Sequence, residues 1–426
     1  MTSTHDSRAL RPQAQRATAV QKLLARAAGL DHVTVGEVVY PEPQLVIIHD
    51  GFVEAAYREL SALGFRAIRH PERAMFVTDH EVAYASPQAI SRGAAIRDIA
   101  RRWRVGHRYD VGRGGHGHLF PLENGMVQPG MFLFAYDMHC TTFGAAGALA
   151  LGVGPEITTV LATGSLWTQV PATIRVELSG GLPPGSHARD VGFVLTHGLA
   201  SGRWGAEFDS RVIEFGGAGV AALDLAARVA LCNSVTELGI GAVLFEVGPP
   251  ALHSDPAADF AARLSLDLDG IEPQVALPGG PERAVPVGTV AGRAVQHAFI
   301  GSCGSGMYED FVAAAALLRG RQIADGVRMF IVPGSVATAQ RLADAGLAQT
   351  FMAAGAVMLP AGCGPCAGGL MAPLGAGEVS ISTAATNHAG RMGAPEGQPY
   401  LGSPLTVAAS ALRGCITDPR ELCADG

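Results

Sequence analysis

Several features that would identify other protein classes are scarce in this sequence. Charged residues make up only 16% of the 426 residues, the net charge is -7, and lysine and arginine form no block. This balance argues against nucleic acid or an anionic membrane as the main partner. No apolar run reaches the length of a membrane span, and the polar N-terminus lacks the apolar segment of a secretory signal. The seven cysteines are an odd number, which disfavours a disulfide framework and predicts a cytoplasmic location.

Apolar residues and glycine, in contrast, are abundant. Hydrophobic residues account for 48% of the chain, and there are 55 glycines, so large cores and many tight turns are possible. Apolar runs predict strands that alternate with predicted helices. The strands are expected over residues 44–49, 75–80 and 131–136, and the helices over residues 20–28, 52–63 and 91–104. This alternation predicts α/β layers with parallel sheets, in which functional residues gather at the carboxyl ends of the strands.

Composition also suggests how the chain divides. Residues 141–154 are small and predict a closely packed helix, and residues 173–178 predict an edge strand. Residues 248–286 are rich in proline, glycine and aspartate and predict a long connection. The expected units are a flexible tail (residues 1–18), a first α/β domain (19–195), a second with a linker (196–285) and a third (286–426).

Three cysteines stand in two loops of small residues. Cys363 and Cys366 flank a Gly-Pro turn, and Cys303 follows an apolar run. Two sulfurs at this spacing can turn toward one point, as in a metal or cluster clip or a redox dithiol. A zinc site would need a fourth ligand at zinc-like spacing, and a dithiol would not need Cys303. Three thiolates would leave one corner of an iron–sulfur cluster open, as catalysis requires. The remaining cysteines are interpreted as buried small residues or tail thiols: Cys140, Cys232, Cys415 and Cys423.

Acidic and imidazole groups follow the predicted strands or lie in a glycine-rich loop. They are Asp79, His80, His118, Asp137 and His139. Any one alone is more often a hydrogen-bonded structural residue. Together, at one kind of sheet edge, they predict a shared polar pocket, in which an aspartate beside a histidine fixes its tautomer and raises its basicity.

The cysteine loops resemble the aconitase superfamily, and most closely the large, catalytic subunit of 3-isopropylmalate dehydratase. The resemblance runs from about residue 20 to the C-terminus and includes motifs at residues 308–310, 387–393 and 402–409. It implies three α/β/α domains around a central iron–sulfur cluster, without the swivelling fourth domain of aconitase. It also implies a [4Fe-4S] cluster bound by Cys303, Cys363 and Cys366, whose open iron acts as a Lewis acid on a substrate hydroxyl and carboxylate.

The same resemblance implies roles for the polar residues. The groups that would orient substrate and the water on the open iron are Asp79, His80, His118, Asp137 and His139. Glu214 matches a family acid that contacts this water, whereas Asn233 and Glu237 match less directly. Arg391 matches an arginine that grips a substrate carboxylate through a bidentate fork.

Some residues depart from the family pattern near the expected substrate. Thr386 replaces a second arginine of the motif that ends in Arg391. Gly304 and Ser305 replace the usual Thr-Asn after the first cysteine, and Met138 replaces a serine of the active site. We interpret this as retained cluster binding with altered substrate choice. A substrate with fewer anionic groups, or with an apolar group beside Met138, would fit.

The predicted function is therefore a [4Fe-4S]-dependent hydro-lyase, a dehydratase or isomerase. Its substrate would be a hydroxy-carboxylic acid related to isopropylmalate but different from it. In the family the catalytic base is a serine on the swivelling domain, so a separate small subunit is implied. One alternative is a cluster enzyme with another reaction on a carboxylate. The other is a non-catalytic cluster-bearing sensor, since members of the superfamily can bind RNA, although the acidic balance weighs against it.

Overall fold

The protein is described by a computed structural model covering residues 16–423. Most of the predicted tail, residues 1–15, lies outside the described residues. Residues 16–18 lead directly into the first helix. The Thr18 side chain accepts a hydrogen bond from the backbone N–H of Gln21, whose side chain binds back to Thr18 in a capping box.

The first sheet has five parallel strands in the order β4-β3-β2-β5-β6, and an antiparallel ribbon, β1-β7, lies beside it. Strands β2, β3 and β5 are buried along their whole length, as expected for a parallel sheet covered on both faces. The elements of this part are α1 (Ala19–Ala27), β1 (Val38–Val39), β2 (Leu45–His49), α2 (Asp50–Ala62), β3 (Ala74–Val77), α3 (Pro87–Trp103), β4 (His107–Tyr109), α4 (Phe120–Glu123), β5 (Phe132–Ala135), β6 (Leu149–Gly152), α5 (Ile157–Thr163) and β7 (Thr168–Gln169).

The second sheet has four parallel strands in the order β10-β9-β8-β11. Its elements are β8 (Thr173–Ser179), α6 (Ala188–Ala200), β9 (Val212–Gly216), α7 (Leu225–Ser234), β10 (Ala242–Phe245) and β11 (Ala262–Asp267). Strand β8 lies inside the sheet, so the prediction of an edge strand over residues 173–178 is wrong. The edges are instead β10 and β11. Strand β11 comes from the segment predicted to be a long connection and alternates buried with more exposed side chains.

The third sheet has seven strands in the order β13-β12-β18-β17-β14-β15-β16 and is parallel except where β12 meets its two neighbours. Its elements are β12 (Gln274–Ala276), β13 (Ala284–Pro286), β14 (His297–Gly301), α8 (Tyr308–Leu318), β15 (Arg328–Val332), α9 (Val336–Asp344), α10 (Leu347–Ala353), β16 (Val357–Met358), β17 (Val379–Ser382), β18 (Gln398–Leu401), α11 (Pro404–Arg413) and α12 (Arg420–Cys423).

The predicted α/β fold with parallel sheets is confirmed, but the predicted domain limits do not match the sheets. The boundary after residue 195 falls inside α6, and the sheets change between β7 and β8 and between β11 and β12. One hydrophobic core is shared by the first and second sheets, and a separate core serves the third. No helix within residues 16–423 combines the length and apolar character needed to cross a membrane.

The helix predicted over residues 141–154 does not form. A 3-10 helix covers Met138–Ala146, and β6 follows. Gly144 lies so close to β10 that a β-carbon on it would be 2.0 Å from the carbonyl oxygen of Val243. Gly147 then adopts a positive φ of 73° and ends the 3-10 segment. The small residues of this segment therefore allow it to pack directly against β10, and they do not form a closely packed α-helix.

Candidate active site

A small cavity, of about 10 Å³, lies between the carboxyl ends of strands in the first and third sheets. Five histidines, three cysteines, one aspartate and one arginine line it: His49, His80, His116, His118, His139, Cys303, Cys363, Cys366, Asp137 and Arg391. Most of these side chains were singled out in the sequence, from segments far apart along the chain. The cavity thus gathers thiol, imidazole, carboxylate and guanidinium groups at one place.

Backbone hydrogen bonds hold the loops of the two sheets together at the cavity. The N–H of Cys363 donates to the carbonyl oxygen of Asp79 at 2.8 Å, and the N–H of His116 donates to that of Gly334 at 2.7 Å. Asp79 stands two residues after β3, and Cys363 lies in the loop after β16. The cysteine loop is therefore fixed directly to the segment that carries the predicted Asp-His pair.

The three cysteines are buried, and none of them forms a disulfide. The Ser302 hydroxyl lies 3.8 Å from the sulfurs of both Cys303 and Cys363. A hydrogen bond from Cys363 and the nearby positive charge of Arg391 hold the pKa of Cys366 well below its usual value. Three convergent sulfurs with no fourth cysteine in the cavity lining fit a cluster with one iron left open.

Asp79 is completely buried behind the cavity, where it binds two histidines. Its carboxylate lies 2.9 Å from Nδ1 of His49 and 2.8 Å from Nδ1 of His80, and it accepts the backbone N–H of Gly117 at 2.8 Å. Burial lowers the pKa of both imidazoles, but the carboxylate outweighs it and leaves them raised, most strongly for His80. Asp79 therefore orients His49 and His80 rather than lining the cavity itself.

His118 belongs to the same cluster but has the opposite electrostatic character. Its Nε2 lies 3.1 Å from Nε2 of His49, so one proton is shared along this line. Its Nδ1 is buried without a hydrogen-bond partner in the described structure. Burial lowers the pKa of His118 well below its usual value and that of His116 to about 4. Both imidazoles are therefore neutral at pH 7, beside His49 and His80, whose pKa values are raised.

His139 is held between two carboxylates. Its Nδ1 lies 2.9 Å from Asp137 and its Nε2 2.7 Å from Glu237, and its backbone N–H donates to Asp137 at 2.6 Å. Although burial opposes the charged form, these contacts raise the pKa of His139 well above its usual value. The imidazole is therefore a cation that carries a transferable proton on each nitrogen.

Glu214, predicted for the site, does not line the cavity. It lies in the middle of β9, and one carboxylate oxygen accepts from Arg175 at 2.7 Å and the other from Ser254 at 2.9 Å. Its side chain therefore belongs to a buried ion pair within the second sheet. Glu237, which follows α7, instead contacts His139 of the cavity lining.

The residues predicted to select the substrate lie in different environments in the structure. Arg391 lines the cavity. Met138 is 42% exposed and does not line it. Ser305 is buried, and its hydroxyl donates to the carbonyl oxygen of Gly304. Thr386 is buried outside the lining, and its hydroxyl has no hydrogen-bond partner in the part of the chain that the structure describes.

Three groups at or behind the cavity were missed in the sequence or given too little weight. His49 is the last residue of a predicted strand, so its position at a carboxyl end was a usable signal. The Asn233 amide donates to the Cys303 sulfur at 3.2 Å. Arg189, which is fully buried, contacts the loop that carries Cys303 and the loop that follows β17. The positions of Arg189 and Asn233 along their helices do not by themselves predict that these side chains lie near the Cys303 loop.

The comparisons with known proteins agree with this arrangement. A profile of the Aconitase family (aconitate hydratase) matches residues 21–249 and 288–414. The chain is 36% identical over 418 residues to the 3-isopropylmalate dehydratase large subunit 1 of Methanopyrus kandleri, covering 95% of this chain and 99% of that protein. It is 35% identical over 416 residues to the homoaconitase large subunit of Thermus thermophilus, covering 95% and 98%.

A solved structure supports the fold alone. The holo-form of aconitase X from Thermococcus kodakaraensis matches with a TM-score of 0.51 and 11% sequence identity, over 86% of this chain and 89% of that one. The predicted enzyme class, an aconitase-type hydro-lyase, is confirmed by the sequence relatives. With the family profile matched over most of its length and relatives above 30% identity along almost all of it, this chain belongs to the aconitase family.

Proposed function

We propose that this chain is the large subunit of a [4Fe-4S]-dependent hydro-lyase acting on a hydroxy-carboxylic acid other than isopropylmalate. One observation carries the proposal: three buried cysteine sulfurs, a cationic imidazole and a single guanidinium line the same cavity. The dehydration removes hydroxide from one carbon and a proton from the neighbouring carbon, so that a carbon–carbon double bond and water result.

The cluster would be held by Cys303, Cys363 and Cys366. Bound there, it would supply Lewis-acid assistance to the departing hydroxyl. Ser302 and Asn233 surround the sulfurs with hydrogen-bonding groups, and such groups tune clusters in proteins. The burial of all three thiols supports a site from which bulk water is largely excluded.

The proton that the leaving hydroxyl needs would come from His139. Asp137 and Glu237 keep this imidazole charged at neutral pH, and its position in the cavity lining makes it available to substrate. The neutral His118, whose Nδ1 is unpaired within the described residues, would accept a hydrogen bond from a substrate hydroxyl or donate one, according to its tautomer. His80, held by Asp79, would help to orient the same oxygen.

The guanidinium of Arg391 would bind a substrate carboxylate, since a planar fork matches two carboxylate oxygens. The neutral Thr386 stands where the family pattern has a second arginine, and no other arginine lines the cavity. These two features support a substrate with one gripped carboxylate and a neutral or apolar group at the second position.

The base that removes the carbon-bound proton would come from a separate small subunit. The relatives reported above are named large subunits, which supports this division. Within residues 16–423, Asp79, Asp137 and Glu237 are already engaged with histidines. We also propose a cytoplasmic location, which the unpaired cysteines of the described structure support.

Anaerobic purification followed by iron and sulfide analysis tests the proposal. The wild-type protein should be brown and contain about four irons and four sulfides per chain, and Cys363→Ser should remove the colour. Cys232→Ala is the matched control, because Cys232 is fully buried in the core shared by the first two sheets and should leave the iron content unchanged. A wild-type protein that holds only zinc after anaerobic reconstitution would overturn the proposal.

A further inference from the structure

Arg189, on α6, is a fully buried arginine with no acidic partner. Its side chain has no exposed surface, and no carboxylate of residues 16–423 lies within ion-pair distance of it. A buried charge is costly unless an opposite charge or a set of hydrogen bonds compensates for it. Burial lowers the pKa of Arg189 to about 10, so the guanidinium is nevertheless a cation at neutral pH. It therefore requires a source of negative charge nearby.

Arg189 forms hydrogen bonds with the loop that carries Cys303 and with the loop after β17. Its Nη1 donates to the carbonyl oxygen of Gly304 at 3.2 Å, and its Nη2 donates to that of Ala384. Gly304 directly follows Cys303, and the residue after Ala384 donates its backbone N–H to Cys366. One guanidinium therefore supports the loops that position two of the three thiols.

A further contact runs through Asn233. Nη1 of Arg189 lies 3.4 Å from the side-chain oxygen of Asn233, whose amide nitrogen donates to the Cys303 sulfur at 3.2 Å. The acidic groups whose ionised forms would act most strongly on Arg189 are Cys303, Asp310 and Cys366. Two of these three groups are proposed cluster ligands.

Gly304 lies directly against this arginine. A β-carbon there would lie 2.5 Å from Nη1 of Arg189 and 2.1 Å from the carbonyl oxygen of Thr383. The loop after Cys303 can therefore carry no side chain at this position while the guanidinium occupies its place. The departure from the usual Thr-Asn at Gly304 thus makes room for Arg189.

We propose that Arg189 is a positioning residue for the cluster: its fixed charge offsets the negative charge of the cluster and its thiolates, and its donors hold the Cys303 loop and the loop after β17, whose Ala385 N–H binds Cys366. The inference rests on the proposed function, because it requires that a cluster is bound. Net charge and hydrogen bonding near the sulfurs set cluster reduction potentials. Loss of the positive charge should therefore make the potential more negative and speed the loss of iron.

The test compares Arg189→Lys, which keeps the charge, with Arg189→Gln, which keeps polar donors but no charge. The reconstituted wild-type protein and variants are mixed anaerobically with a chelator, and loss of iron is followed by absorbance. The midpoint potential is measured by an EPR-monitored titration with dithionite. We expect the Gln variant to lose iron roughly 10- to 100-fold faster than the wild type and to have a more negative potential. The Lys variant should stay close to the wild type in both measurements.

Arg228→Met is the matched control. Arg228 is a half-buried arginine that also donates to backbone carbonyls, at 2.8 Å to Ala145 and 2.7 Å to Leu223, but not to a cysteine loop. Its variant should lower the melting temperature without moving the potential. If Arg189→Gln matches the wild type in potential and iron loss, or if Arg189→Lys fails as the Gln variant does, the inference is wrong. A wild-type protein without iron would instead refute the proposed function.

Discussion

Nε2 of His139 lies 2.7 Å from a carboxylate oxygen of Glu237, although the two residues are 98 positions apart in the chain. This contact makes Glu237, rather than Glu214, the glutamate that binds a histidine of the cavity lining. It also completes a row of three groups, because Asp137 binds the other nitrogen of the same imidazole. The row keeps a proton on His139 at neutral pH, where the proposed dehydration needs one.

The first prediction compares the two glutamates. Glu237→Gln should lower kcat by roughly 10²- to 10⁴-fold, the usual contribution of a positioned acid or base, with iron content unchanged. Glu214→Gln should leave kcat nearly intact but lower the free energy of unfolding by about 1–3 kcal/mol, because it disturbs a buried pair with Arg175. Steady-state kinetics and urea denaturation measure both effects. The assignment would be reversed if Glu214→Gln proved the more damaging to kcat.

The second prediction concerns the small subunit. The reconstituted chain alone should show almost no dehydratase activity, and adding a separately produced small subunit of the family should restore turnover. The control is the small subunit mixed with the Cys363→Ser variant, which should stay inactive. Full activity of the single chain would place the catalytic base within this chain, with His80 or His139 the first groups to replace.

The third prediction concerns the proposed carboxylate clamp. Arg391→Lys should raise KM for every carboxylate substrate and lower kcat/KM by roughly 10- to 100-fold, because an ammonium cannot reproduce two parallel hydrogen bonds. Arg391 also lies near Cys366, so iron content must be measured in the same preparation. An unchanged KM with full iron loading would show that another group binds the carboxylate.

The fourth prediction concerns substrate choice. A charge-assisted hydrogen bond contributes about 1.5–3 kcal/mol, so the lack of an arginine at Thr386 should weaken a dicarboxylate such as isopropylmalate by roughly ten- to hundredfold. The wild type should prefer hydroxy acids with a neutral or apolar second group. Thr386→Arg should shift the ratio of kcat/KM values back toward dicarboxylates.

Thr386→Ser is the matched control for that substitution, since it keeps a hydroxyl at the same buried position. Thermal unfolding should be recorded for both variants, because an arginine must fit where the threonine is 4% exposed. Efficient turnover of isopropylmalate by the wild type, together with no effect of Thr386→Arg in a folded protein, would refute the proposed change of substrate.

The fifth prediction concerns acid stability. Burial lowers the pKa of His297 to about 4 in the folded protein, against about 6.5 in an unfolded chain. The unfolded state therefore binds the proton first, so stability from the neutral His297 is complete above pH 6.5 and is lost as the pH falls toward 4. The slope is about 1.4 kcal/mol per pH unit.

His297→Gln should remove this slope. At pH 7 the variant should be less stable than the wild type, because His297 binds Ser380 at 2.9 Å and the carbonyl oxygen of Ala372 at 3.1 Å. At pH 5 the difference in the free energy of unfolding between variant and wild type should be smaller by about 2 kcal/mol. Urea denaturation at pH 7 and pH 5 measures this difference. His32→Gln, at an exposed histidine, should leave the pH dependence unchanged. A gap that stays constant with pH would contradict the prediction.

Much of the site could be predicted because its groups follow from local rules. Cys363 and Cys366 are joined by a turn that directs two sulfurs to one place, and their spacing is visible in the chain. Asp79 and Asp137 each stand two residues after a buried strand. Parallel strands end at one sheet edge, so both aspartates were expected near a shared pocket.

Other predictions differ from the structure because they depended on which strands pair and on which face of a sheet a side chain lies. Glu214 lies in mid-strand, where the choice of sheet face decides what a side chain meets, and it meets Arg175. The segment 248–286 has the polar composition of a loop. Its strands β11 and β12 form because they pair with β8 and β18, which are distant in the sequence. Strand pairing over a long sequence separation leaves little trace in the local pattern.

Periodicity and spacing are local properties, so the α/β class, the three cysteines and the strand-end acids and histidines could be predicted from the chain alone. Which glutamate contacts His139, which sheet each strand joins and the position of Arg189 beside the Cys303 loop depend on the packed fold. The physical reason is that these contacts join segments 98 to 195 residues apart. Their geometry exists only when the sheets pack and bring the carboxyl ends of their strands together.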